Sequence, residues 1–184
     1  MPAELIVLIL IIFIIIGLMG FSVFFGAPYV PTRKKWAKNA LDLVSLNKKD
    51  LVVDLGSGDG VILKLISERG ARCVGYEINP ILFLLSKIRT MKCVPKPKIY
   101  LQNYWLENLP PETTIVYIFG AERDANKFEK YLYRQGIKNL KVITFGFKLP
   151  NKKPKKSNKF ASLYILPICH PRTDLVVSSE VERS

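Results

Sequence analysis

An apolar run in this chain leads directly into a turn of glycines and carboxylates. The run over 51–55 predicts a buried parallel strand, and Asp54 lies near its end. Alternate glycines allow the backbone to turn tightly and to approach a ligand without a Cβ in the way. Helical spacing begins at Val61, so the sequence predicts a strand, a glycine turn and a helix, the mononucleotide-binding start of a doubly wound sheet. The candidate binding residues in the turn are Gly56, Ser57, Gly58, Asp59 and Gly60.

The glycine spacing distinguishes between kinds of nucleotide. Dinucleotide sites use G-x-G-x-x-G and receive a pyrophosphate at a helix N-terminus. Here the glycines run G-x-G-x-G, and Asp59 inside the turn would repel an anion. Together with Asp54, it suits a ligand that carries positive charge, such as the amino group and sulfonium of S-adenosylmethionine. The spacing therefore disfavours an NAD-dependent dehydrogenase, while a plain glycine turn is the structural alternative.

A third carboxylate follows the second predicted strand. That strand covers 72–76 and ends in Glu77, which lies seventeen residues after Gly60. At this position an acidic side chain can accept hydrogen bonds from both hydroxyls of a ribose. The alternative is an acid that is solvated at the end of a strand.

The later elements alternate as a parallel sheet requires. Asn79-Pro80 is expected to start the second helix of the domain, because proline is well tolerated at the first helical position. A chain of 184 residues allows one domain. We therefore expect a minimal Rossmann-like α/β domain over 51–167. Further strands are predicted over 72–76, 98–101, 114–119, 140–146 and 160–166, with helices over 58–69, 80–91 and 122–134.

The N-terminal segment is the most apolar part of the chain. Residues 5–25 carry no charge and would extend roughly 31 Å as a helix, which is enough to cross a bilayer core. We expect one transmembrane helix within 1–26; a cleaved signal peptide and a buried core helix are the alternatives. Basic residues over 33–38 follow the segment, whereas Glu4 precedes it. The positive-inside rule then places the later domain in the cytoplasm.

Charge and composition constrain the rest of the chain. The net charge is +13, which does not by itself imply a nucleic-acid partner, and none is expected.

The segments outside the domain are expected to differ in structure. Residues 27–50 are predicted to form a connector and a leading helix with Thr32 as a plausible N-cap. Residues 168–184 are predicted to form a disordered tail. Six lysines over 148–159 predict a solvated loop or a contact with an anionic leaflet or acidic substrate. Three cysteines without C-x-x-C spacing, and the single His170, indicate no metal site.

Four segments together resemble a known family. They are 29–32 (YVPT), 54–60 (DLGSGDG), 75–80 (GYEINP) and 103–105 (NYW). The chain resembles small membrane-anchored class I methyltransferases, related to the enzymes that methylate lysines of the ATP synthase c-subunit and of the adenine nucleotide translocase. The likeness runs from about residue 26 to 166. It implies the seven-stranded class I fold and S-adenosylmethionine as cofactor.

The resemblance also implies roles for individual residues. Asp54 and the turn glycines match the cofactor loop, and Glu77 matches the ribose-binding acid. Asn103 stands where the family usually has an aspartate, and its amide oxygen can still accept a hydrogen bond from the adenine amine; Tyr104 beside it is a further candidate for cofactor contact. The candidates on the substrate side are Tyr29, Thr32, Trp105 and Phe119, with core packing as the alternative for the last two.

These observations predict a membrane-anchored S-adenosylmethionine-dependent methyltransferase that modifies a lysine of a membrane-associated protein. Methyl transfer from a sulfonium requires positioning and no metal. No residue stands out as a general base. A lipid or quinone methyltransferase and a non-catalytic membrane module that binds the cofactor or a partner are the alternatives.

Overall fold

A computed structural model of the chain describes residues 2–25 and 34–167. Its elements alternate between strands and helices over most of the domain, so the predicted α/β fold is confirmed. The helices are α1 (Ala3–Phe25), α2 (Lys34–Leu41), α3 (Val61–Glu68), α4 (Pro80–Thr90) and α5 (Ala125–Arg134). The strands are β1 (Leu51–Leu55), β2 (Arg72–Glu77), β3 (Lys98–Leu101), β4 (Ile115–Phe119), β5 (Leu140–Phe145), β6 (Lys156–Ser157) and β7 (Ala161–Leu166).

The seven strands form one sheet in the order β3-β2-β1-β4-β5-β7-β6. The chain builds outward from β1 to β3 and then returns to place β4 on the other side of β1. Connections on the two sides of β1 therefore diverge, and a crevice opens at the carboxyl ends of β1 and β4. Ligands of doubly wound sheets bind in such a crevice, which places the glycine turn after β1 at the predicted site.

Both faces of the sheet are covered, which explains why its central strands are apolar without alternation. All five residues of β1 are buried. Alternate residues point to opposite faces, with Val52 packing among α2 and α3 and Val53 in the cluster that contains Phe128 of α5. Two apolar layers thus hold β1 rigidly where the glycine turn leaves it.

The last two strands do not follow the predicted parallel pattern. β7 runs antiparallel to β5, and β6 runs antiparallel to β7. Apolar periodicity identifies a strand but carries no information on its direction, so this part of the prediction was wrong. The lysine-rich stretch, expected as a loop, also contributes Lys156–Ser157 as the short edge strand β6. Short edge strands and lysines both hinder pairing with another chain.

Some predicted boundaries shift by a few residues. The helix expected from residue 58 begins at Val61, because Gly58 and Gly60 adopt positive φ angles of 55° and 80° that a helix does not allow. The helix expected from residue 122 starts with a 3₁₀ turn, Glu122–Asp124, before α5. The predicted connector residues Tyr29 and Thr32 lie outside the described residues, as do His170 and the predicted tail.

The N-terminal segment is helical over Ala3–Phe25. Within the described parts of the chain, however, no helix satisfies the length and hydropathy criteria of a membrane span, so the structure does not support the predicted transmembrane helix.

Gly60 is expected to be the least replaceable glycine of the turn. A Cβ at Gly60 would lie 2.8 Å from Cβ and 2.9 Å from Cα of Ser86 on α4, whereas a Cβ at Gly136 would meet nothing within 4 Å. Both glycines have positive φ. We expect Gly136→Ala to cost only the backbone penalty of about 1–2 kcal/mol. Gly60→Ala should cost about 1–3 kcal/mol more in urea unfolding, because α4 must move. Equal losses would contradict the close packing of the turn against α4.

Candidate cofactor-binding site

The glycine turn leaves β1 in a conformation that only glycine adopts easily. Gly56, Gly58 and Gly60 have φ angles of 83°, 55° and 80°. A Cβ at Gly56 would meet nothing within 4 Å, whereas Gly60 packs against Ser86. The turn is therefore supported on the α4 side and has open space beside Gly56, where a ligand could approach the backbone.

The carboxylate of Glu77 holds this turn to the start of α4. Its Oε2 accepts a hydrogen bond of 2.7 Å from the Gly58 backbone N–H, and Oε1 accepts one of 2.8 Å from that of Asn79. Burial raises the pKa of Glu77, and the backbone donors partly oppose that rise. The Ile78 backbone N–H is a third donor to this carboxylate. Because two carboxylate oxygens offer four lone pairs, one acceptor position remains for a ribose hydroxyl. The sequence predicted the ribose role of Glu77 and missed this structural one.

α4 begins at Pro80 as the sequence predicted, and Asn79 caps it. Its side-chain oxygen accepts hydrogen bonds from the backbone N–H groups of Ile81 and Leu82, and Pro80 occupies the first turn. Since Glu77 binds the Asn79 backbone, the cap and the glycine turn share one anchoring carboxylate. The position of α4 and the shape of the turn are thus mechanically linked.

Asp54 is the most unusual ionisable group in the site. Its side chain lies at the carboxyl end of β1, only 2% exposed, and Oδ2 has no hydrogen-bond partner among the described residues. Burial holds the pKa of Asp54 well above its usual range, and the charges of Glu77 and Asp59 raise it further. An unpartnered buried carboxylate is costly, and a cationic group would relieve that cost. The site therefore suits the positive end of a ligand.

Two hydroxyl groups near Asp54 share its lack of partners. Ser57 Oγ and Tyr117 Oη are buried and, in the part of the chain that the structure describes, make no hydrogen bond. Tyr117 of β4 is the register neighbour of Asp54, and burial, with a contribution from Asp54, raises its pKa. Sequence reasoning missed Tyr117. Only the pairing of β1 with β4, which are far apart in sequence, brings it to the site.

Asp59 differs from its predicted role as a free carboxylate. Its Oδ2 forms an ion pair of 2.7 Å with the Arg89 guanidinium, and the Arg89 Nε also donates to the Asp59 backbone oxygen at 2.8 Å. Arg89 lies in the last turn of α4. The charge of Asp59 therefore ties the turn to α4, and Asp54 is the carboxylate left for a cation. The predicted contact of Asp59 with the cofactor remains a prediction.

Asn103 and Tyr104 follow β3 at the same edge of the sheet. The Asn103 side-chain oxygen accepts a hydrogen bond of 3.1 Å from the backbone N–H of Trp105 and so caps the 3₁₀ turn Tyr104–Leu106. Its second lone pair remains for an adenine amine. Tyr104 is half-buried, and its ring lies 6.1 Å from that of Tyr131. Their contacts with a cofactor stay predictions.

The two described substrate-side candidates are packed against the domain. The Trp105 ring meets Phe128 and Tyr131 of α5 edge-on, and Lys127 Nζ lies 4.2 Å from its centroid. Phe119 ends β4, with its ring 5.4 Å from that of Phe145. These contacts fit the core-packing alternative, although the Trp105 ring also lies 4.7 Å from that of Tyr104, a cofactor-side candidate. Tyr29 and Thr32 belong to the part of the chain without a described structure.

Comparison with known proteins then decides the family. Residues 54–156 match the family model of the ANTKMT methyltransferase domain. The chain belongs to this family. The match begins at Asp54, includes the glycine turn and Glu77, and covers more than half of the chain. The resemblance found in the sequence is therefore confirmed.

Curated relatives agree with this assignment. Over 126 residues the chain is 32% identical to the ATP synthase C-subunit lysine N-methyltransferase of Xenopus laevis, covering 67% of this chain and 55% of that protein. The human protein of the same name is 31% identical over 129 residues, covering 69% and 54%. The chain thus spans about half the length of these relatives.

A solved structure supports the fold. An RNA methyltransferase from Salinibacter ruber, crystallised with S-adenosyl-L-homocysteine, superposes with a TM-score of 0.71. It is 23% identical, and the superposition covers 78% of this chain and 97% of that protein. At this identity the similarity shows a shared class I methyltransferase fold.

We expect Asp54→Asn to stabilise the ligand-free protein at neutral pH. Folding raises the pKa of Asp54, so the contribution of this group to the free energy of unfolding is largest at low pH, where the carboxyl is protonated. That contribution then falls as pH rises through the folded pKa. The variant should gain about 1.4 kcal/mol for each pH unit by which folding raises that pKa. This gain should shrink as pH falls toward the usual value of 3.8.

Thermal unfolding of both proteins across this pH range measures the effect. Glu112→Gln, at an exposed position before β4, is the matched control and should change stability by less than about 0.5 kcal/mol at any pH. A gain for Asp54→Asn that does not depend on pH would show that the Asp54 carboxyl is not desolvated.

Proposed function

We propose that the chain is an S-adenosylmethionine-dependent methyltransferase that modifies a lysine side chain of a membrane-associated protein. The observation that carries the proposal is the unpartnered Asp54 carboxylate oxygen beside the open glycine turn. A buried acid without a hydrogen-bond partner is costly. A cationic ligand would balance its charge, whereas a neutral or anionic ligand would not. Membership in the ANTKMT methyltransferase domain family supports the same function.

Different residues of the site would bind different parts of the cofactor. Asp54 would face the cationic methionine end, the backbone of 56–60 would approach the nucleoside, and Glu77 would accept a hydrogen bond from a ribose hydroxyl. Asn103 and Tyr104 would bind the adenine. When bound, the cofactor supplies an electrophilic methyl group on a sulfonium.

Positioning is what this chain contributes to the transfer. An in-line displacement depends on the distance and angle between acceptor and methyl group, and holding both can supply several kcal/mol of the barrier. A lysine amine must be neutral to attack. Desolvation in the crevice would lower its pKa and so favour the neutral form. No general base is assigned.

The names of the relatives support a protein acceptor. Those of Xenopus laevis and Homo sapiens are named as lysine N-methyltransferases of the ATP synthase C-subunit. We propose an acceptor of the same kind for this chain, a lysine on a protein associated with a membrane.

Transfer of labelled methyl groups tests this function. Full-length protein incubated with methyl-labelled S-adenosylmethionine and a membrane fraction should label protein, and hydrolysis should recover the label as methyllysine. Asp54→Ala should reduce labelling by at least about tenfold, because a charged hydrogen bond worth about 1.5–3 kcal/mol is lost. Glu112→Gln is the matched control and should label as the unchanged protein does.

The alternatives predict other results in the same assay. Label in lipid would identify a lipid or quinone methyltransferase instead. Calorimetric binding of the cofactor that is lost in Asp54→Ala, without labelling of protein or lipid, would identify a non-catalytic module. Either result would contradict a protein lysine acceptor.

We also propose that α1 attaches the enzyme to a membrane with the methyltransferase domain on the cytoplasmic side. Those α1 side chains that are described are largely exposed, including Leu8, Phe13 and Ile16 at 53%, 68% and 61%. Moving such side chains from water into a bilayer is favourable. The basic residues over 33–38 support the cytoplasmic orientation.

Fractionation tests this attachment in cells. The full-length protein should stay in the membrane pellet after alkaline extraction, and the domain should be digested by protease only once the cytoplasmic side is accessible. Ile12→Lys together with Ile16→Lys should release the protein into the supernatant, because each lysine in the apolar helix costs about 2.5–3.5 kcal/mol. Equal extraction of both proteins would contradict an anchor.

A further inference from the structure

The outer face of α4 is apolar although it is exposed. Leu84, Leu85 and Ile88 are 59%, 46% and 65% exposed, and Met91 directly after the helix is 59% exposed. The opposite face of α4 is buried against the domain through Leu82, Ser86 and Thr90. The exposed residues follow helical spacing and form one stripe.

The stripe continues beyond the helix. Val94 is 88% exposed, and Tyr100 and Leu101 of the edge strand β3 are 42% and 48% exposed. We call the side chains of Leu84, Leu85, Ile88, Met91 and Val94 the α4 surface. Proteins rarely leave contiguous apolar patches of this kind in water, and those that do generally use them for binding.

The segment that carries the α4 surface is basic, although one of its cations, Arg89, is paired with Asp59 of the glycine turn. Between Ile78 and Leu101 the chain contains no aspartate or glutamate. Lys87 is placed beside the stripe, with its Nζ 5.2 Å from the centroid of the Phe83 ring. An apolar stripe with basic flanks is the chemistry that binds an anionic lipid surface. The basic residues of this segment are Lys87, Arg89, Lys92, Lys96 and Lys98.

We propose that the α4 surface docks onto an anionic lipid bilayer, with the axis of α4 lying in the plane of the interface. The apolar side chains enter the headgroup region, and the lysines contact lipid phosphates. α1, proposed above as the membrane attachment, lies beside α4, so the two surfaces are continuous. A second copy of the chain fits less well, because a two-fold contact would bring the four lysines of this segment against the same four.

Docking at α4 would also orient the cofactor site. α4 contacts the glycine turn in two places, through Ser86 against Gly60 and through the ion pair of Arg89 with Asp59. A bilayer contact that fixes α4 therefore fixes the direction in which the crevice opens. The lipid contact needs no methyl transfer, so it can be tested independently of the enzymatic activity.

A fluorescent probe on the α4 surface tests the proposal in the full-length protein. Cys93 and Cys169 are replaced by serine, Cys73 stays buried, and Ile88→Cys is labelled with a nitrobenzoxadiazole dye. The protein is placed in lipid nanodiscs of phosphatidylcholine alone or mixed with phosphatidylglycerol. The matched control carries the dye at Ile165→Cys, a 40% exposed position on β7 near the other edge of the sheet.

We expect the dye at position 88 to shift to the blue and to be quenched by spin-labelled lipids. The effect should be larger in discs with phosphatidylglycerol, and the dye at position 165 should remain water-like in both. Equal spectra at the two positions would overturn the proposal. A blue shift before lipid is added, growing with protein concentration, would also overturn it, because a protein contact would then cover the surface.

A second variant separates lipid contact from folding. With a dye at Met91→Cys in the same background, Leu84→Glu and Ile88→Glu should reduce lipid quenching to the control level. Binding of S-adenosylmethionine by the variant, measured by calorimetry, should be retained, since the substituted side chains face away from the domain. Retained quenching in this variant would contradict docking through the α4 surface.

Discussion

The carboxylate of Glu77 is the constraint on which the site depends. One oxygen holds the backbone of Gly58, and the other holds that of Asn79. These bonds join the end of β2 to the glycine turn after β1 and to the first turn of α4, three elements that meet only at the carboxyl edge of the sheet. Because charge-assisted hydrogen bonds are strong and directional, the turn has one shape before any ligand arrives. A pre-formed site avoids the entropic cost of ordering a loop during binding.

The three carboxylates of the site differ in their partners. Glu77 and Asp59 are engaged with the protein itself, the first with backbone donors and the second with Arg89. Asp54 is buried with an oxygen that no described residue satisfies. Among the carboxylates of the site, Asp54 is thus the one with an unpartnered oxygen, and it lies two residues before Gly56, where the missing side chain leaves open space. This arrangement favours a cationic nucleoside over the dinucleotides that similar sheets bind elsewhere.

α4 connects this chemistry to the surface of the molecule. Its buried side supports the glycine turn, and its outer side presents Leu84, Ile88 and their neighbours among basic residues. Because protein interiors are closely packed, a shift of α4 at the surface would move the glycine turn, and a shift of the turn would move α4. The relatives are named as lysine N-methyltransferases of the ATP synthase C-subunit. Under the function proposed above, one helix that supports the cofactor turn and faces lipid would align the crevice with a substrate at the membrane.

The sequence by itself determined the strand, turn and helix around Asp54, the start of α4 at Pro80 and the acid at Glu77, because these depend on neighbours within a few residues and on the backbone preferences of glycine and proline. It also indicated the family. Only the tertiary structure decided that Arg89 pairs with Asp59, that Tyr117 adjoins Asp54 and that β7 runs antiparallel to β5. Those contacts join residues 16 or more positions apart, and apolar periodicity specifies which face of an element is buried without specifying its partner or direction.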